Sequence, residues 1–494
     1  MNAAACQTNT YKRRQPEQSL LYRTIAQHLD TFIHNRAAEG RELPAYVLDE
    51  FRSYLRCGIL EHGFVRVFCA TCHHEFPVAL SCKKRGFCPS CCGKRMAESA
   101  AHLVDNVLPK APYRQWVITL PFALRYWAAT NKELEAKIHK IIISSINHHY
   151  QGRAVALGFS SSVCGSLSFI HRMGSALNFH FHYHVLFLDG VYVNPEKPQL
   201  VPITDLNDGQ VETVLTAIAQ RIIRHLQKKH YLDENGEVIN AVPPDDLFSN
   251  NDALTAALSA SVQGRIAFGP RTGEKVRSIG KGFGYQEEIP LAKGPLCCSM
   301  NGFSLHAASF VRDHDRRQLE KLIKYISRPP LAEHRLGKAA DGQLTYSLKT
   351  PRKNGVTAIL LSPEELLEKL TTLIPPPKSH SVRWSGIFAS SHSMRPKIVL
   401  QPSIKKGIPE KTIDNNDKGA PRSNSMWAKL LSRCFGIDLT LCPKCGGNLQ
   451  VLCAVVDPHQ VARYLKHIGI SYHAPPTLTP VRDLGLTYDT ADIS

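Results

Sequence analysis

The sequence predicts an α+β fold between a cysteine-rich amino-terminal module and a small carboxyl-terminal one. From Tyr113 to Pro377, runs with strand-like alternation are interspersed with runs of helical periodicity. Seven of the fifteen cysteines fall between Cys57 and Cys92, in a stretch too short and too polar for an ordinary core. A chain of 494 residues also exceeds what one hydrophobic core supports, so about three units are expected.

Alternation and periodicity place the individual elements of this fold. Strands are predicted at Arg114–Leu120, Val163–Ile170, Phe179–Leu188, Ser304–Phe310 and Leu344–Leu348. Helices are predicted at Lys132–His149, Val211–Lys229, Arg316–Ser327 and Pro363–Leu373. Two further amphipathic helices fit the segment from Glu17 to Leu55.

Changes in composition set the predicted domain boundaries. Residues 1–110 form the helical and zinc-binding amino-terminal domain, and residues 111–398 form the α+β domain. Within the latter, 233–294 is rich in Gly, Asp and Asn and is interpreted as an insertion or long loops. The remaining predictions are a linker at 399–425, a small unit at 426–473 and a flexible tail at 474–494.

Charge and hydropathy restrict the class of partner. The chain has 60 Lys and Arg against 42 Asp and Glu, a formal net charge of +18, which favours a polyanion such as nucleic acid. A basic but merely solvated surface is the alternative. No apolar run reaches the roughly 18 residues of a membrane span, and no signal-peptide core follows the amino terminus, so a cytoplasmic protein without membrane contact is expected.

Two cysteine pairs have the spacing of a structural zinc site. Cys69 and Cys72 are separated by fifteen residues from Cys88 and Cys91, so two knuckles can supply four thiolates to a tetrahedral Zn²⁺. Such a closed site has a structural role. The alternative is a set of structural thiols without metal.

Other residues around these pairs are assigned less directly. Cys57, Cys82 and Cys92 are interpreted as buried thiols in preference to ligands of a second metal. Cationic side chains beside the second pair are candidates for phosphate contact, namely Lys83, Lys84 and Arg85. Near the carboxyl terminus Cys442 and Cys445 form another pair, for which metal binding stays open.

A histidine-rich strand is the second candidate metal site. Between Phe179 and Leu188, alternation sends aromatic residues to one face and His180, His182 and His184 to the other. Histidines two apart on a strand have Cα atoms about 6 to 7 Å apart, so one adjacent pair can bind a single cation but all three cannot easily do so. The alternative is a hydrogen-bonded polar face of the sheet.

The run GSALNFHFHYHVLFLDGVY at residues 174–192 resembles the metal-binding motif of rolling-circle insertion-sequence transposases of the HUH endonuclease superfamily. The resemblance implies that His182 and His184 are the ligands, in an antiparallel HUH palm flanked by helices. It extends to blocks at 81–91, 115–122, 302–307, 325–331, 380–389 and 442–447. The family further implies a preceding zinc-binding domain, single-stranded DNA at element ends and target DNA as substrates, and Mg²⁺ or Mn²⁺ as the catalytic cation.

Tyr325 is the implied nucleophile. It lies beside the apolar stripe of the helix at 316–327, so periodicity alone favours core packing, whereas the match to the tyrosine block of the family favours catalysis. In that chemistry the phenol oxygen attacks a phosphodiester and forms a 5′-phosphotyrosine. Lys321 stands four residues before Tyr325, where the best-known branch carries a second tyrosine, so the chain resembles the single-tyrosine branch of common-region elements.

The remaining candidates complete the predicted site. A third metal ligand is expected, and His306 is proposed for it, with an ordinary sheet histidine as the alternative. Lys324, Arg328 and Arg383 are candidate DNA contacts. With one tyrosine, strand transfer reuses Tyr325, employs the 3′-OH or recruits another subunit, which leaves a homo-oligomer open. The competing functions are a noncatalytic zinc-dependent DNA-binding protein and a rolling-circle replication initiator.

Overall fold

The computed structural model describes residues 14–279, 294–352, 354–399, 442 and 444–472. The chain divides into two compact units. The smaller unit comprises Met1–Pro16, Arg56–Ser81 and Leu439–Ser494, and the larger unit comprises Glu17–Leu55 and Cys82–Asp438.

The described helices are α1 Leu20–Ala38, α2 Ala45–Arg56, α3 Pro89–His102, α4 Phe122–Thr130, α5 Lys132–Ala156, α6 Asp208–Lys228, α7 Asp246–Ser249, α8 Asp252–Val262, α9 Arg316–Ile326, α10 Pro363–Leu373, α11 Arg395–Ile398 and α12 Pro458–His467. None of these helices is both long enough and apolar enough to cross a bilayer.

The described strands are β1 Phe64–Cys69, β2 Glu75–Ala79, β3 Tyr113–Thr119, β4 Gly165–Met173, β5 Phe179–Leu188, β6 Gly190–Val193, β7 Gln199–Pro202, β8 Arg277–Ile279, β9 Cys297–Met300, β10 Phe303–Val311, β11 Leu336–Lys338, β12 Leu344–Ser347, β13 Ala358–Leu361, β14 Val382–Gly386 and β15 Leu449–Val455. The α+β prediction is confirmed, because helices are combined with antiparallel sheets.

A six-stranded antiparallel sheet with the order β14-β4-β5-β3-β10-β9 organises the larger unit. Alternation along β5 gives the sheet two different faces. Phe181, Tyr183 and Val185 pack in the core formed with α5 and α6. Leu186 and Leu188 face the other way and pack with Ile323 and other apolar residues of α9. The predicted histidine face of β5 is therefore the face that α9 covers.

A buried polar network fixes β3 to the end of β5. Asp189 is fully buried and receives three hydrogen bonds from Arg114, Nε to Oδ1 at 3.0 Å, Nε to Oδ2 at 3.1 Å and Nη2 to Oδ2 at 2.8 Å. The Tyr150 hydroxyl donates to Oδ1 at 2.5 Å, and Arg114 Nη1 donates to the carbonyl of Ala307 on β10 at 3.0 Å. Since the buried charges are paired and hydrogen-bonded, the three strands hold one register.

Helix α9 has defined limits at both ends. The Asp315 side chain accepts from the amide of Gln318 at 2.8 Å and caps the start of the helix. Arg316 donates to the carbonyls of Pro109 and Leu108 at 3.0 and 2.8 Å, which ties α9 to the segment after α3. At the other end the amide of Ser327 donates to the carbonyl of Ile323. The position of Tyr325 on the sheet is thereby fixed.

The region at 233–294, interpreted as an insertion or long loops, contains regular structure. It contains α7, α8 and β8, and residues 280–293 lie outside the described residues. Helix α8 buries Leu254 and Leu258, but much of its remaining surface is Ala and Ser. Small residues weaken the hydrophobic periodicity from which helices are predicted, although Ala is the best helix former.

The smaller unit joins segments from the two ends of the chain. Its antiparallel sheet has the order β15-β1-β2, and its core comprises Leu60, Phe64, Val455, Val461 and Leu465. The structure thus divides the chain differently from the predicted boundaries, which made 426–473 a unit of its own. Because β1 pairs with a strand about 380 residues later in the chain, no short stretch of sequence indicates that the two segments form one unit. The predicted linker lies almost wholly, and the tail wholly, outside the described residues.

Candidate metal centre and active site

Three imidazoles converge on the α9 face of the six-stranded sheet. His182 and His184 come from β5, and His171 comes from β4, where it lies directly opposite His182. The candidate ligand nitrogens of the three residues all lie within 4.8 Å of one another. The structure therefore brings together the two predicted ligands and a third histidine that was not predicted.

Hydrogen bonds to carbonyls fix the tautomers of two of these rings, because a carbonyl oxygen can only accept. His182 Nδ1 donates to the carbonyl of His180 at 2.9 Å, which leaves its Nε2 lone pair for a cation. His171 Nε2 donates to the carbonyl of Ile326 at 2.5 Å, which leaves its Nδ1 lone pair. His180 lies outside the three-histidine group and contacts His182 both through its carbonyl and through its ring, whose Nδ1 lies 3.0 Å from Nδ1 of His182.

Gln115 on β3 orients the third ring. Its side-chain nitrogen Nε2, which is buried, lies 2.5 Å from Nδ1 of His184. A cation bound through Nε2 of His184 needs a proton on Nδ1, so in that state the side-chain amide of Gln115 would be rotated to present its oxygen as the acceptor. A hydrogen-bonded partner of this kind fixes both the orientation and the tautomer of a metal-binding histidine.

Burial keeps the imidazoles neutral. Loss of solvation lowers the pKa of His171 to about 3, of His180 to about 3 and of His182 to about 4, and the neighbouring rings and Arg328 act in the same direction on several of them. The pKa of His184 is also lowered, first by burial and then by His171. Neutral imidazoles present lone pairs to a cation at neutral pH, so these residues fit a divalent metal.

Tyr325 lies beside this cluster and outside the apolar core. Its side chain is 43% exposed, and its ring centroid lies 6.4 Å from that of His184, with the two planes at 83°. The adjacent residue Ile326 buries its side chain and accepts the hydrogen bond from His171. The phenol is thus accessible to a substrate while the backbone of its helix is tied to the histidine cluster.

Two cations lie over the Tyr325 ring. Arg328 Cζ is 4.8 Å and Lys349 Nζ is 4.9 Å from the ring centroid. Arg328 was predicted as a phosphate contact, and its position beside the phenol is compatible with that role. Lys349 was not predicted, because it follows β12 and only the tertiary structure brings it to α9.

Three other predicted residues have different surroundings from those expected: His306 lies two strands away from the cluster, and Lys324 and Arg383 are each paired with an acid. His306 on β10 is opposite Val117, which is opposite His184, so β3 separates it from the cluster by two strand spacings, or about 10 Å. Lys324 forms an ion pair with Glu320 at 2.9 Å. Arg383 is ion-paired with Glu135 on the opposite face of the sheet. Strand alternation and helix packing decide these positions, and neither is visible at a single residue.

The predicted cysteine pairs fall into two separate thiol groups. In the smaller unit, Cys69 and Cys72 lie with Cys442 and Cys445, with all four Sγ atoms within 4.8 Å of one another. In the larger unit, Cys88 and Cys91 lie with Cys82, with the Sγ atoms of Cys82 and Cys91 3.4 Å apart. The structure therefore groups these thiols differently from the predicted single site of Cys69, Cys72, Cys88 and Cys91.

The basic residues before Cys88 are partly committed to contacts within the protein. Lys84 forms an ion pair with Asp49. The carbonyls of Lys83 and Lys84 accept hydrogen bonds from Arg95, and Arg85 donates to the carbonyl of Ser379 at 3.5 Å. Their proposed contact with phosphate thus applies best to Lys83 and Arg85, which have no ion pair with an acid in the described part of the chain.

Comparison with known proteins identifies two regions of the chain. Residues 24–120 match the family model described as "Transposase zinc-binding domain", of the IS91 type, and residues 165–395 match the one described as "Putative transposase". No curated protein and no solved structure matches the chain. The first match and the thiol groups support structural zinc, and the second match includes His171, His182, His184 and Tyr325. The chain thus carries an IS91-family transposase zinc-binding domain followed by a transposase domain.

Proposed function

We propose that the protein is an HUH-type transposase that nicks and transfers single-stranded DNA through a 5′-phosphotyrosine intermediate at Tyr325. The observation that carries the proposal is the exposed Tyr325 phenol beside three buried, neutral imidazoles. A bound Mg²⁺ or Mn²⁺ would polarise the scissile phosphate and stabilise the charge that develops on it. His171, His182 and His184 would hold that cation.

The chain's own residues carry the transfer step. The phenol oxygen of Tyr325 attacks phosphorus, a P–O bond to tyrosine forms and the P–O3′ bond breaks. The phenolic proton leaves to solvent, which reaches this exposed side chain, and the departing 3′ oxygen gains a proton. One phosphodiester replaces another, so rejoining by the reverse attack needs no nucleotide hydrolysis.

Arg328 and Lys349 supply positive charge next to the ring of Tyr325. Both are exposed, and neither forms an ion pair with an acid in the described part of the chain. Arg328 can grip two phosphate oxygens at once, whereas Lys349 acts as a point charge. These residues would orient the scissile phosphate in line with the phenol.

A single nucleophile limits how the reaction continues. Lys321 occupies the position one helical turn before Tyr325, so α9 offers one phenol at this site. Joining the second strand then requires reuse of Tyr325, attack by a free 3′-OH or another subunit. The zinc-binding domain match favours a transposase over a replication initiator.

The test is formation of a covalent protein–DNA adduct. Full-length protein is incubated with a labelled single-stranded oligonucleotide carrying an element end and Mn²⁺, and denaturing electrophoresis detects the adduct. Tyr325→Phe should reduce adduct formation at least about 10³-fold because the nucleophilic oxygen is lost, whereas Tyr231→Phe should not change it. An adduct that persists in Tyr325→Phe would contradict the proposal, and binding without any adduct in the unmodified protein would favour a noncatalytic DNA-binding protein.

A further inference from the structure

We propose that Cys69, Cys72, Cys442 and Cys445 bind a zinc ion of their own, distinct from the Cys82, Cys88 and Cys91 group, and that this zinc joins the two ends of the chain. The Sγ atoms of Cys69 and Cys445 are 3.5 Å apart, and those of Cys72 and Cys442 are 3.6 Å apart. Four thiolates at about 2.3 Å from a tetrahedral zinc are about 3.8 Å from each other, so the thiols already have nearly this spacing. They are too far apart for disulfides, which need about 2.05 Å.

The two pairs lie in turns with the same backbone hydrogen bonds. Cys69 donates its amide to the carbonyl of His74 at 2.9 Å, and His73 donates to the carbonyl of Cys69 at 2.9 Å. In the second turn Cys442 donates to Gly447 at 2.7 Å, and Gly446 donates to Cys442 at 2.8 Å. Two equivalent turns that face each other are the arrangement of a zinc ribbon.

Amide groups also point at the sulfur atoms of the second pair. The amide of Lys444 donates to Cys442 Sγ and that of Gly447 to Cys445 Sγ, both at 3.4 Å. Such bonds stabilise the thiolate form that binds zinc. A Cβ atom at Gly447 would lie 2.4 Å from Thr71 Oγ1 and 3.2 Å from Cys69 Sγ, so the close approach of the two turns requires glycine here.

The smaller unit needs this support because its apolar core is small. Five buried residues form the core, while Val451 and Leu452 on β15 are about half exposed. Small units of this kind usually depend on a metal or disulfides for stability. Zinc bound by both turns would hold β15 on β1, whereas without it the five core residues alone would have to offset the cost of closing a very long loop.

The test is the zinc content of purified full-length protein. The double variant Cys442→Ser/Cys445→Ser should contain one zinc per chain less than the unmodified protein, and Cys453→Ser, an exposed thiol on β15 outside the group, should contain the same amount. Hydrogen exchange should rise at least about tenfold in β1 and β15 of the double variant and stay unchanged in β5 of the larger unit. Unchanged zinc content in the double variant would overturn the proposal.

Because the double variant could lose zinc through misfolding, a second variant keeps all four cysteines. Gly447→Ala should accelerate zinc loss to a chelator from one site per chain, because the two turns can no longer approach each other, while all four thiols remain. Equal rates of zinc release in Gly447→Ala and in the unmodified protein would count against a metal shared by the two turns. Neither measurement uses DNA cleavage, so the result is independent of the proposed function.

A second inference comes from a large basic cleft within the larger unit and rests on the proposed function. We infer that this cleft holds the single-stranded DNA that continues from the cleaved phosphate. Its volume is about 1380 Å³, more than a small-molecule site occupies. Of the described charged side chains that line it, six are cationic and one, Glu274, is acidic; the cations are Arg125, Arg271, Lys275, Arg277, Arg352 and Lys369.

Several of these charges are available to a ligand. Arg271 is neutralised by Glu274 and Glu365, at 2.8 and 2.7 Å, and the fully buried Lys369 is paired with Glu368 at 3.6 Å, so neither of these two cations is available. Lys275 lies two residues before β8, and Arg277 is the first residue of β8. Both are exposed, and neither forms an ion pair with any acid in the described ranges. The cleft is therefore net positive after internal pairing, which suits a phosphate backbone.

The cleft also offers an aromatic surface and lies next to the histidine cluster. Phe122 is 49% exposed and lines it. Exposed aromatic rings beside cations are how proteins bind unpaired bases without sequence preference. Thr119 on β3 also lines the cleft and is directly opposite His182 on β5. A strand leaving the candidate metal site can thus enter the cleft, and its unpaired bases favour single-stranded over duplex DNA.

The test measures oligothymidine binding in the Tyr325→Phe background with EDTA, where no cleavage occurs. Phe122→Ala should weaken binding by about 5- to 150-fold, which is the range for loss of one stacked base. The control is Phe159→Ala, which removes a 37% exposed ring outside the cleft and should leave binding unchanged. Lys275→Ala/Arg277→Ala should reduce the slope of log affinity against log salt by about 1.4, and Lys140→Ala/Lys228→Ala should not change it.

The outcomes separate this inference from the proposed function. Unchanged affinity and salt slope in the cleft variants would overturn the cleft assignment even if the unmodified protein forms its tyrosine adduct. Tighter binding of duplex than of oligothymidine would also overturn it. Loss of affinity in the cleft variants together with no adduct in the unmodified protein would support the cleft and contradict the nucleophile.

Discussion

The histidine cluster of the larger unit and the four-thiol group of the smaller unit differ in how far apart their residues lie in the sequence and in how many ligands they offer. His182 and His184 lie two residues apart on one strand and His171 lies on the next strand, so neighbours in one sheet supply three candidate ligands. The four thiols come from two turns about 370 residues apart. Three imidazoles leave coordination positions open beside an exposed phenol, whereas four thiolates complete the shell of a zinc ion.

The first arrangement is suited to a catalytic metal ion, whereas the second is suited to a structural one. In the proposed function, a cation held by the three imidazoles would contact the phosphate that Tyr325 attacks. A closed shell stabilises the unit that contains it and exchanges no ligand with substrate. Substitutions in the two sites should therefore affect different measurements, nicking in the first and zinc content in the second.

Loss of the two strand ligands should have the largest effect. His182→Ala/His184→Ala removes two of the three imidazoles, so Mn²⁺-dependent nicking should fall at least about 10³-fold, since metal stabilisation of the phosphate contributes several kcal/mol. The zinc content of the same preparation should be unchanged. Single-turnover nicking and elemental analysis measure both, and nicking above a tenth of the original rate would show that these imidazoles do not hold the catalytic cation.

Comparison of His171 with His306 should identify the third ligand. His171→Ala should weaken Mn²⁺ binding by about 10- to 100-fold and slow nicking accordingly, because it removes one ligand and the link to the carbonyl of Ile326. His306→Ala should change Mn²⁺ affinity less than about twofold, since β3 separates it from the cluster. Titration of Mn²⁺ by calorimetry decides the matter, and the opposite order of the two variants would restore His306 as the ligand.

The last prediction concerns protonation and tests the burial of a histidine outside the candidate metal site. His139 is buried on the other face of the sheet, and its Nε2 lies 2.8 Å from Ser168 Oγ. Burial lowers its pKa from 6.5 to about 4, so the unfolded state binds the proton first as the pH falls. The free energy of unfolding should therefore decrease between pH 6.5 and 4, by roughly 3 kcal/mol from this residue.

Urea unfolding of the cation-free protein at several pH values measures this dependence. His139→Gln, which can still bond to Ser168, should show a shallower decrease in stability on acidification. His34→Gln, at an exposed position, should retain the original dependence. If His139→Gln also retained it, His139 would not be the group that titrates.

Local patterns predicted much of the larger unit. Strict alternation from Phe179 to His184, followed by an apolar run to Leu188, is enough to define β5 and its histidine face, because a strand with one apolar face has only one register that buries it. The apolar stripe of α9 likewise predicted its limits to within one residue. For such elements the physical cause lies within a short stretch of sequence.

Contacts between distant segments could not be predicted in the same way. His171 joins His182 only through the register of β4 against β5, and Lys349 reaches Tyr325 only after the four-stranded sheet has formed. The spacing of Cys69, Cys72, Cys88 and Cys91 fits one zinc site as well as it fits two half-sites. Which half-sites meet is decided by the pairing of β1 with β15, a non-local interaction without a sequence signature.

Anomalous diffraction from crystals grown with Mn²⁺ tests the central claim most directly, because it locates the cation relative to the phenol. We expect a manganese peak coordinated by His171 Nδ1 and by Nε2 of His182 and His184, on the side of the cluster that faces Tyr325. A manganese peak elsewhere in the larger unit would contradict the account. So would a peak at this cluster if protein atoms lay between the manganese and the hydroxyl of Tyr325.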